Sequence, residues 1–139
     1  MTTFSELGLS DSIVSSLTEL GFEEPTPIQN EAIPALLTGA DVLGRAATGT
    51  GKTAAFSLPL LERHVLGQEA DAPLVLVLTP TRELCLQVSE AFHNYGRQAG
   101  VVVTPIYGGQ DYSRQIRALR RGTHAVSYTH LTLPTTSRV

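Results

Sequence analysis

The amino-acid sequence predicts an α/β fold with a largely parallel sheet, and three observations carry that expectation. Between Asp41 and Val126, β-like apolar runs alternate with segments of helical periodicity. The run Leu74-Val75-Leu76-Val77-Leu78 is continuously apolar, as expected of a parallel strand covered on both faces. Residues Ala46 to Thr53 read Ala-Ala-Thr-Gly-Thr-Gly-Lys-Thr, a glycine-containing turn between an apolar run and Ala54-Ala55-Phe56, which is how a strand hands over to a helix around a phosphate. With 139 residues, 42% of them hydrophobic, the chain is long enough for one domain with a core.

Each element has a local reason. Ser10 suits the N-cap of a helix with Ile13, Leu17 and Leu20 on one face, ending near Gly21. Thr26 suits the next N-cap, Pro27 the first helical position and Gln29 the reciprocal place of a capping box. Ile33 and Leu36 continue that helix, Pro34 is expected to bend it, and Gly39 closes it. A strand is expected around Asp41 to Ala46, a helix from about Gly51, and a polar loop from Gly67 to Pro73. Leu74 to Leu78 is the next strand, and Leu84, Val88, Phe92 and Tyr95 mark a helix. Val101 to Tyr107 reads as strand, Tyr112, Ile116 and Leu119 as helix, and His124-Ala125-Val126 as the start of another strand.

Composition narrows the function classes. The net charge of −3 announces no global attraction to nucleic acid, so such binding has to come from local groups. One cysteine, Cys85, excludes an internal disulfide and fits a reducing compartment; it is either a small buried hydrophobe or a reactive thiol. The N-terminal residues lack the basic and apolar regions of a secretory signal, and no apolar run reaches the ~18 residues of a membrane span. The four histidines match no zinc-ligand spacing. A cytoplasmic location is the expectation.

The phosphate loop is the strongest chemical signal. Its turn aims backbone N–H groups of Ala46, Ala47, Thr48, Gly49, Thr50 and Gly51 at a phosphate, and the following helix adds its N-terminal partial charge. Lys52 is suited to the β- and γ-phosphates, and the Thr53 hydroxyl to Mg²⁺. About twenty residues upstream lies Gly21-Phe22-Glu23-Glu24-Pro25-Thr26-Pro27-Ile28-Gln29. The Gln29 amide either caps its helix or meets the N6/N7 edge of adenine. Phe4 either stacks on the base or belongs to the core.

Gly21 to Gln29 resembles the Q motif of DEAD-box RNA helicases, with Phe4 at the place of the upstream aromatic. Ala46 to Thr53 resembles their motif I, which takes Ala or Ser where the strict phosphate-loop pattern has Gly. Pro80-Thr81-Arg82-Glu83-Leu84 looks like motif Ia, with Cys85 where Ala is usual, and Gly108-Gly109 looks like the glycine doublet that follows. The stretches 41–44, 56–61 and 107–110 look most like the bacterial cold-shock and ribosome-assembly branch.

The resemblance implies an incomplete, RecA-like P-loop NTPase domain of an ATP-dependent RNA helicase. It implies ATP and Mg²⁺ as cofactors, and catalytic roles for Lys52 and Thr53, with Thr53 as metal ligand. It also implies Phe4, Thr26, Gln29 and residues Ala46 to Thr53 as the nucleotide site. RNA is the implied partner, held by its backbone without base readout at Pro80, Thr81, Arg82, Glu83, Gly108 and Gly109. Ribosome-assembly or RNA-decay proteins are the further partners it suggests. Each RNA contact has an ordinary alternative: Thr81 as helix cap, Arg82 paired with an acid, and the glycines as a plain turn. Arg114, Arg117 and Arg121 form either a basic stripe or a solvated helix face.

The expected organisation is an N-terminal helix and Q-motif segment at 1–30, a partial RecA-like domain at 31–126, and a non-native tail at 127–139. That tail, Ser127 to Val139, is rich in Thr, lacks acids, and resembles a translated sequencing-library adapter. The sequence contains no Asp-Glu-Ala-Asp, so the 139-residue chain is expected to be without ATP turnover of its own. A sheet missing its later strands, with apolar edges exposed, is expected to leave it marginally folded. The rival readings are another P-loop NTPase, such as a kinase or GTPase, and a non-catalytic nucleotide- or RNA-binding module.

Overall fold

The computed structural model describes residues 2–129, which form two compact units. The first holds the chain through Gln68 together with Ala91–Val101; the second holds Glu69–Glu90 and the chain from Val102 onward.

In the first unit a short turn at Ser5–Leu7 precedes α1 (Asp11–Glu19), α2 (Pro27–Leu37) and α3 (Lys52–Leu60). Ser10 stands at the N-cap of α1 as expected, but its side chain does not close the cap; its backbone N–H donates to Glu62 Oε1 instead. Ile13 and Leu17 are buried, whereas Leu20 lies past the helix end and is exposed. α2 continues through Pro34 to Leu37, where Arg63 Nη1 donates to the Leu37 carbonyl at 2.9 Å and satisfies one of the orphan acceptors of the helix end. α3 contains Pro59, which has no N–H to give. Immediately after it, Leu61–Val65 wind one π-helical turn, with the Leu66 N–H donating to the Leu61 carbonyl at 3.0 Å.

α2 packs along α3, and Ile33, Leu58, Leu61 and Val65 lie in the interior with Ile13 and Leu17. Each such side chain contributes about 1.5–3 kcal/mol by leaving water. The Phe22 ring meets those of Phe4 and Tyr95 edge-on, at 6.0 and 5.8 Å between centroids, and burial pushes the Tyr95 phenol above its ordinary pKa. Gln98 Nε2 ties the 97–99 turn to α1 by donating to Ser15 Oγ and Glu19 Oε1, both at 3.0 Å.

One expected element of this unit is not formed. Residues 41–47 belong to no strand or helix, and Leu43 is fully exposed. A strand exists only as a member of a ladder, and among the described residues this segment has no ladder partner.

The second unit carries β1 (Val75–Thr79), most of α4 (Arg82–Tyr95), β2 (Val103–Ile106), α5 (Tyr112–Arg121) and β3 (Ala125–Thr129). The sheet is parallel in the order β1-β3-β2, with Val75 opposite Ala125 and Val103 opposite Ala125. Among the described residues the last strand in sequence therefore occupies the centre, and Ala125, Ser127 and Thr129 are buried. α4 covers this face through Cys85: the Ser127 hydroxyl donates to the Cys85 carbonyl at 3.0 Å, and Cys85 Sγ lies 3.3 Å from the Ser127 carbonyl oxygen. Cys85 is thus a buried packing group, the first of its two alternatives.

Two expectations for this sheet need correction. β1 is not covered on both faces, because Val75 is buried while Leu76 and Leu78 are 63% and 70% exposed. A run of apolar residues specifies a strand able to be buried twice, but coverage depends on what packs against the second face. Nor does the strand at 124–126 stop where the predicted tail begins: β3 runs to Thr129, paired with β1 along its length and with β2 as far as Tyr128. Its ladder is made by backbone groups that any residue except proline supplies. Residues 130–139 of that tail lie outside the described residues.

His124 is an anchor that the sequence did not announce. It is buried beside β2, and its Nδ1 accepts the Val102 N–H at 2.9 Å. Replacing His124 by Leu is expected to leave that N–H unsatisfied and to cost about 1–3 kcal/mol, measured by urea unfolding. Among the described residues no helix is long and apolar enough to cross a membrane.

Candidate functional site

The phosphate loop lies in the first unit. Thr48 and Gly49 form its turn, Gly49 and Gly51 take φ of 83° and 85°, and α3 begins at Lys52. Glycine adopts this left-handed backbone without the strain a Cβ would bring. The Thr50 hydroxyl donates to the Ala47 carbonyl and braces the turn from inside. Lys52 is exposed at the first position of α3, and Thr53 follows half-buried. The unpaired N–H groups of this first turn and the positive end of the helix stand beside both side chains. Ala46 is half-buried; Ala47 and Thr48 are exposed.

Gln29 reaches this loop from α2. Its Oε1 accepts the Thr26 N–H at 3.0 Å, which is the Gln arm of the capping box, and its Nε2 donates to the Gly51 carbonyl at 3.2 Å. The side chain is 2% exposed. The capping alternative is therefore the one seen, with an addition: the same amide ties the start of α2 to the hinge of the phosphate loop. Thr26 Oγ1 is buried on the other arm of that capping box, 3.3 Å from the place a Cβ on Gly51 would take. A left-handed glycine pair in the turn, a buried hydroxyl beside it and a helix start carrying Lys and Thr together fit a nucleotide phosphate with its magnesium ion. Phe4 takes the core alternative. It is 4% exposed and packs edge-on against Phe22, so its ring is not presented to a base.

The second group of site residues lies in the other unit, at the C-terminal edge of the sheet. Pro80 and Thr81 follow β1, and Thr81 Oγ1 accepts the Leu84 N–H at 3.2 Å, capping α4 as its ordinary alternative requires. Arg82 does not follow its own alternative. Among the described residues its neighbour is no acid; the guanidinium lies 5.6 Å from the centroid of the Tyr107 ring, a cation–π arrangement. Gly109, at φ 82°, is pressed close by the same side chain, since a Cβ there would lie 3.0 Å from Arg82 Nη2. The structure thus brings Arg82 and Gly109 together from the ends of two strands. Glu83 is exposed, and Gly108 is half-buried next to Gly109.

The link from Gln29 to Gly51 and the placement of Arg82 on Tyr107 were not anticipated from sequence. The first had a signal, because a capping-box Gln leaves its amide hydrogens free for a second partner. The second had none beyond an aromatic residue ahead of the glycine doublet. α5 also had an unread signal in Asp111, whose Oδ1 accepts the Ser113 N–H at 3.0 Å.

The family model described as "DEAD/DEAH box helicase" matches residues 26–138. The chain is 52% identical, over 91% of its length, to the DEAD-box ATP-dependent RNA helicase CshA of Bacillus cereus, of which it covers 24%. It is 56% identical, over 90% of its length, to the ATP-dependent RNA helicase DeaD of Escherichia coli, of which it covers 20%. Its fold is similar to that of the RNA helicase Prp28 from Chaetomium thermophilum, solved bound to ADP: the TM-score is 0.81 at 38% identity, over 93% of this chain and 32% of that one. A DEAD box protein from the hyperthermophile Methanococcus jannaschii superimposes with a TM-score of 0.82 at 35% identity, over 93% of this chain and 34% of that one. The chain spans a quarter or less of the length of these curated relatives. The fold of these neighbours and the phosphate loop with its Gln29 tie point the same way, and the chain belongs to the DEAD/DEAH box helicase family.

Proposed function

We propose that this chain forms the nucleotide-binding part, and one edge of the RNA-binding part, of an ATP-dependent RNA helicase. The observation that carries the reading is the Gln29 amide bonded to the carbonyl of Gly51, within a loop that begins with Ala46 and ends in Lys52-Thr53. Lys52 contacts the β- and γ-phosphates, Thr53 holds Mg²⁺ through its hydroxyl, and the α3 N-terminus supplies N–H donors. Bound Mg-ATP supplies the phosphoryl-transfer chemistry. An adenine reaches the second hydrogen of Gln29 Nε2 and the second lone pair of Oε1 once the groups covering them give way.

Arg82, the α4 start at Thr81 and the Gly108-Gly109 backbone bind the sugar-phosphate chain of single-stranded RNA, with Pro80 and Glu83 framing that edge. In the full-length parent these groups serve RNA-stimulated ATP hydrolysis and local unwinding in the cytoplasm, with ribosome-assembly or RNA-decay proteins as partners. The 139 residues, having no Asp-Glu-Ala-Asp to hold the metal and order the attacking water, bind without turnover. We read residues 127–139 as a non-native end; a helicase reading frame running uninterrupted past codon 126 in the coding DNA contradicts this.

The experiment is Lys52→Ala in the full-length parent. RNA-stimulated ATP turnover is expected to fall by about a thousandfold or more, the scale of a lost transition-state charge contact. A pure RNA-binding module would show no change in any of its activities.

A further inference from the structure

A cavity of about 410 Å³ runs between α5 and the outer edge of β2. It is lined by Val103 and Pro105 of the strand, by Arg114, Ala118 and Arg121 of the helix, and at one end by Gln110, the residue after Gly109. Arg114 and Arg121 are seven residues apart, two helical turns, so both guanidinium groups share one face about 10 Å apart along the axis. Helix stability explains Arg121, which sits in the last turn beside the negative end of the dipole. It does not explain Arg114, in the first turn, where a cation is disfavoured. Gln110 Oε1 is buried and has no hydrogen-bond partner among the described residues.

Among the described residues β2 is an edge strand, paired with β3 alone. Val102 points its backbone toward β3, so by strand alternation Val103 and Pro105 point theirs into the cavity. Pro105 brings no N–H, which breaks the donor pattern an added peptide strand needs. The occupant chemistry is therefore anionic groups for two arginines together with one hydroxyl donor for an orphaned acceptor. Phosphates and a ribose 2′-OH supply that combination.

We infer that this groove binds the sugar-phosphate backbone of an RNA segment continuing beyond the Arg82–Gly109 edge, with phosphates on Arg114 and Arg121 and a 2′-OH donating to Gln110. The inference rests on the RNA reading of that edge. The test measures binding of the 139-residue chain to oligouridylates of about 6 and about 12 nucleotides across a salt series. Wild type is expected to bind the longer strand more tightly.

Arg114→Gln/Arg121→Gln is expected to weaken the 12-mer about tenfold and to reduce its salt slope by about 1.4, two phosphates at ~0.7 each, while leaving the 6-mer within about twofold. Arg117→Gln, on the same helix but not lining the groove, is expected to leave both within about twofold. Gln110→Leu is expected to shrink the preference for the 12-mer RNA over the matching DNA. All three arginines are exposed, so these variants keep the fold, as circular dichroism checks. Unchanged 12-mer binding in the double variant overturns the inference, and is the result an acidic-peptide groove would give. Equal weakening of both lengths also overturns it. Wild type binding neither strand overturns the RNA reading of the Arg82–Gly109 edge, and this inference with it.

Discussion

Gly51→Ala is expected to remove nucleotide binding while leaving the second unit folded. Three costs converge on this one methyl group. The backbone at φ 85° costs an L-residue about 1–2 kcal/mol. The added Cβ would fall on the Gln29 amide, and that side chain is buried and held at its other end by the Thr26 N–H. Moving it gives up the bond to the Gly51 carbonyl and loosens the cap of α2, a further ~1–3 kcal/mol. Relief by turning the loop instead would re-aim the N–H groups ahead of Lys52. The total, about 2–5 kcal/mol, corresponds to a loss of affinity between about thirtyfold and a few thousandfold. Titration with a fluorescent ATP analogue measures it, and Gly67→Ala, at a positive-φ glycine with open space around its Cβ position, is the control for backbone strain alone.

Gly122→Ala is expected to be the most destabilising single methyl in the second unit. Gly122 lies between α5 and β3 at φ 105°, and a Cβ there would stand 2.5 Å from the Ala70 carbonyl oxygen. A flexible side chain can step aside, but this obstacle is backbone. The loop at 69–73 or the entry to β3 has to shift, and β3 is the centre of the sheet. Strain of about 1–3 kcal/mol for the backbone angle plus the displaced contact gives a total near 3 kcal/mol or more. For a unit of this size that lowers Tm by roughly 12–24 °C. Differential scanning calorimetry reads the shift, and a change under about 2 °C would show that the 69–73 loop yields freely.

Local chemistry was legible in the sequence where the cause is local. Thr26, Pro27 and Gln29 announced α2, and Ala46 to Thr53 announced a phosphate turn, because caps and left-handed glycines depend on residues three or four apart. What depended on distant partners was not legible. The segment at 41–47 has strand composition yet no ladder among the described residues, and Leu76 and Leu78 have core composition yet face solvent. Gln29 and Gly51 are twenty-two residues apart, and His124 and Val102 likewise, so no periodicity connects them. Phe4 shows the reverse case: a motif position suggested a base-stacking ring, and packing against Phe22 places it in the core.

The proposed adenine-nucleotide site consists of Lys52, Thr53 and the Gln29-braced loop. Calorimetric titration of the folded 139-residue chain with Mg-ATP and with Mg-GTP tests it most directly. ATP is expected to bind saturably, GTP about tenfold or more weaker, and Lys52→Ala to lose both. Equal affinity for the two nucleotides, or ATP binding unchanged by Lys52→Ala, would contradict it.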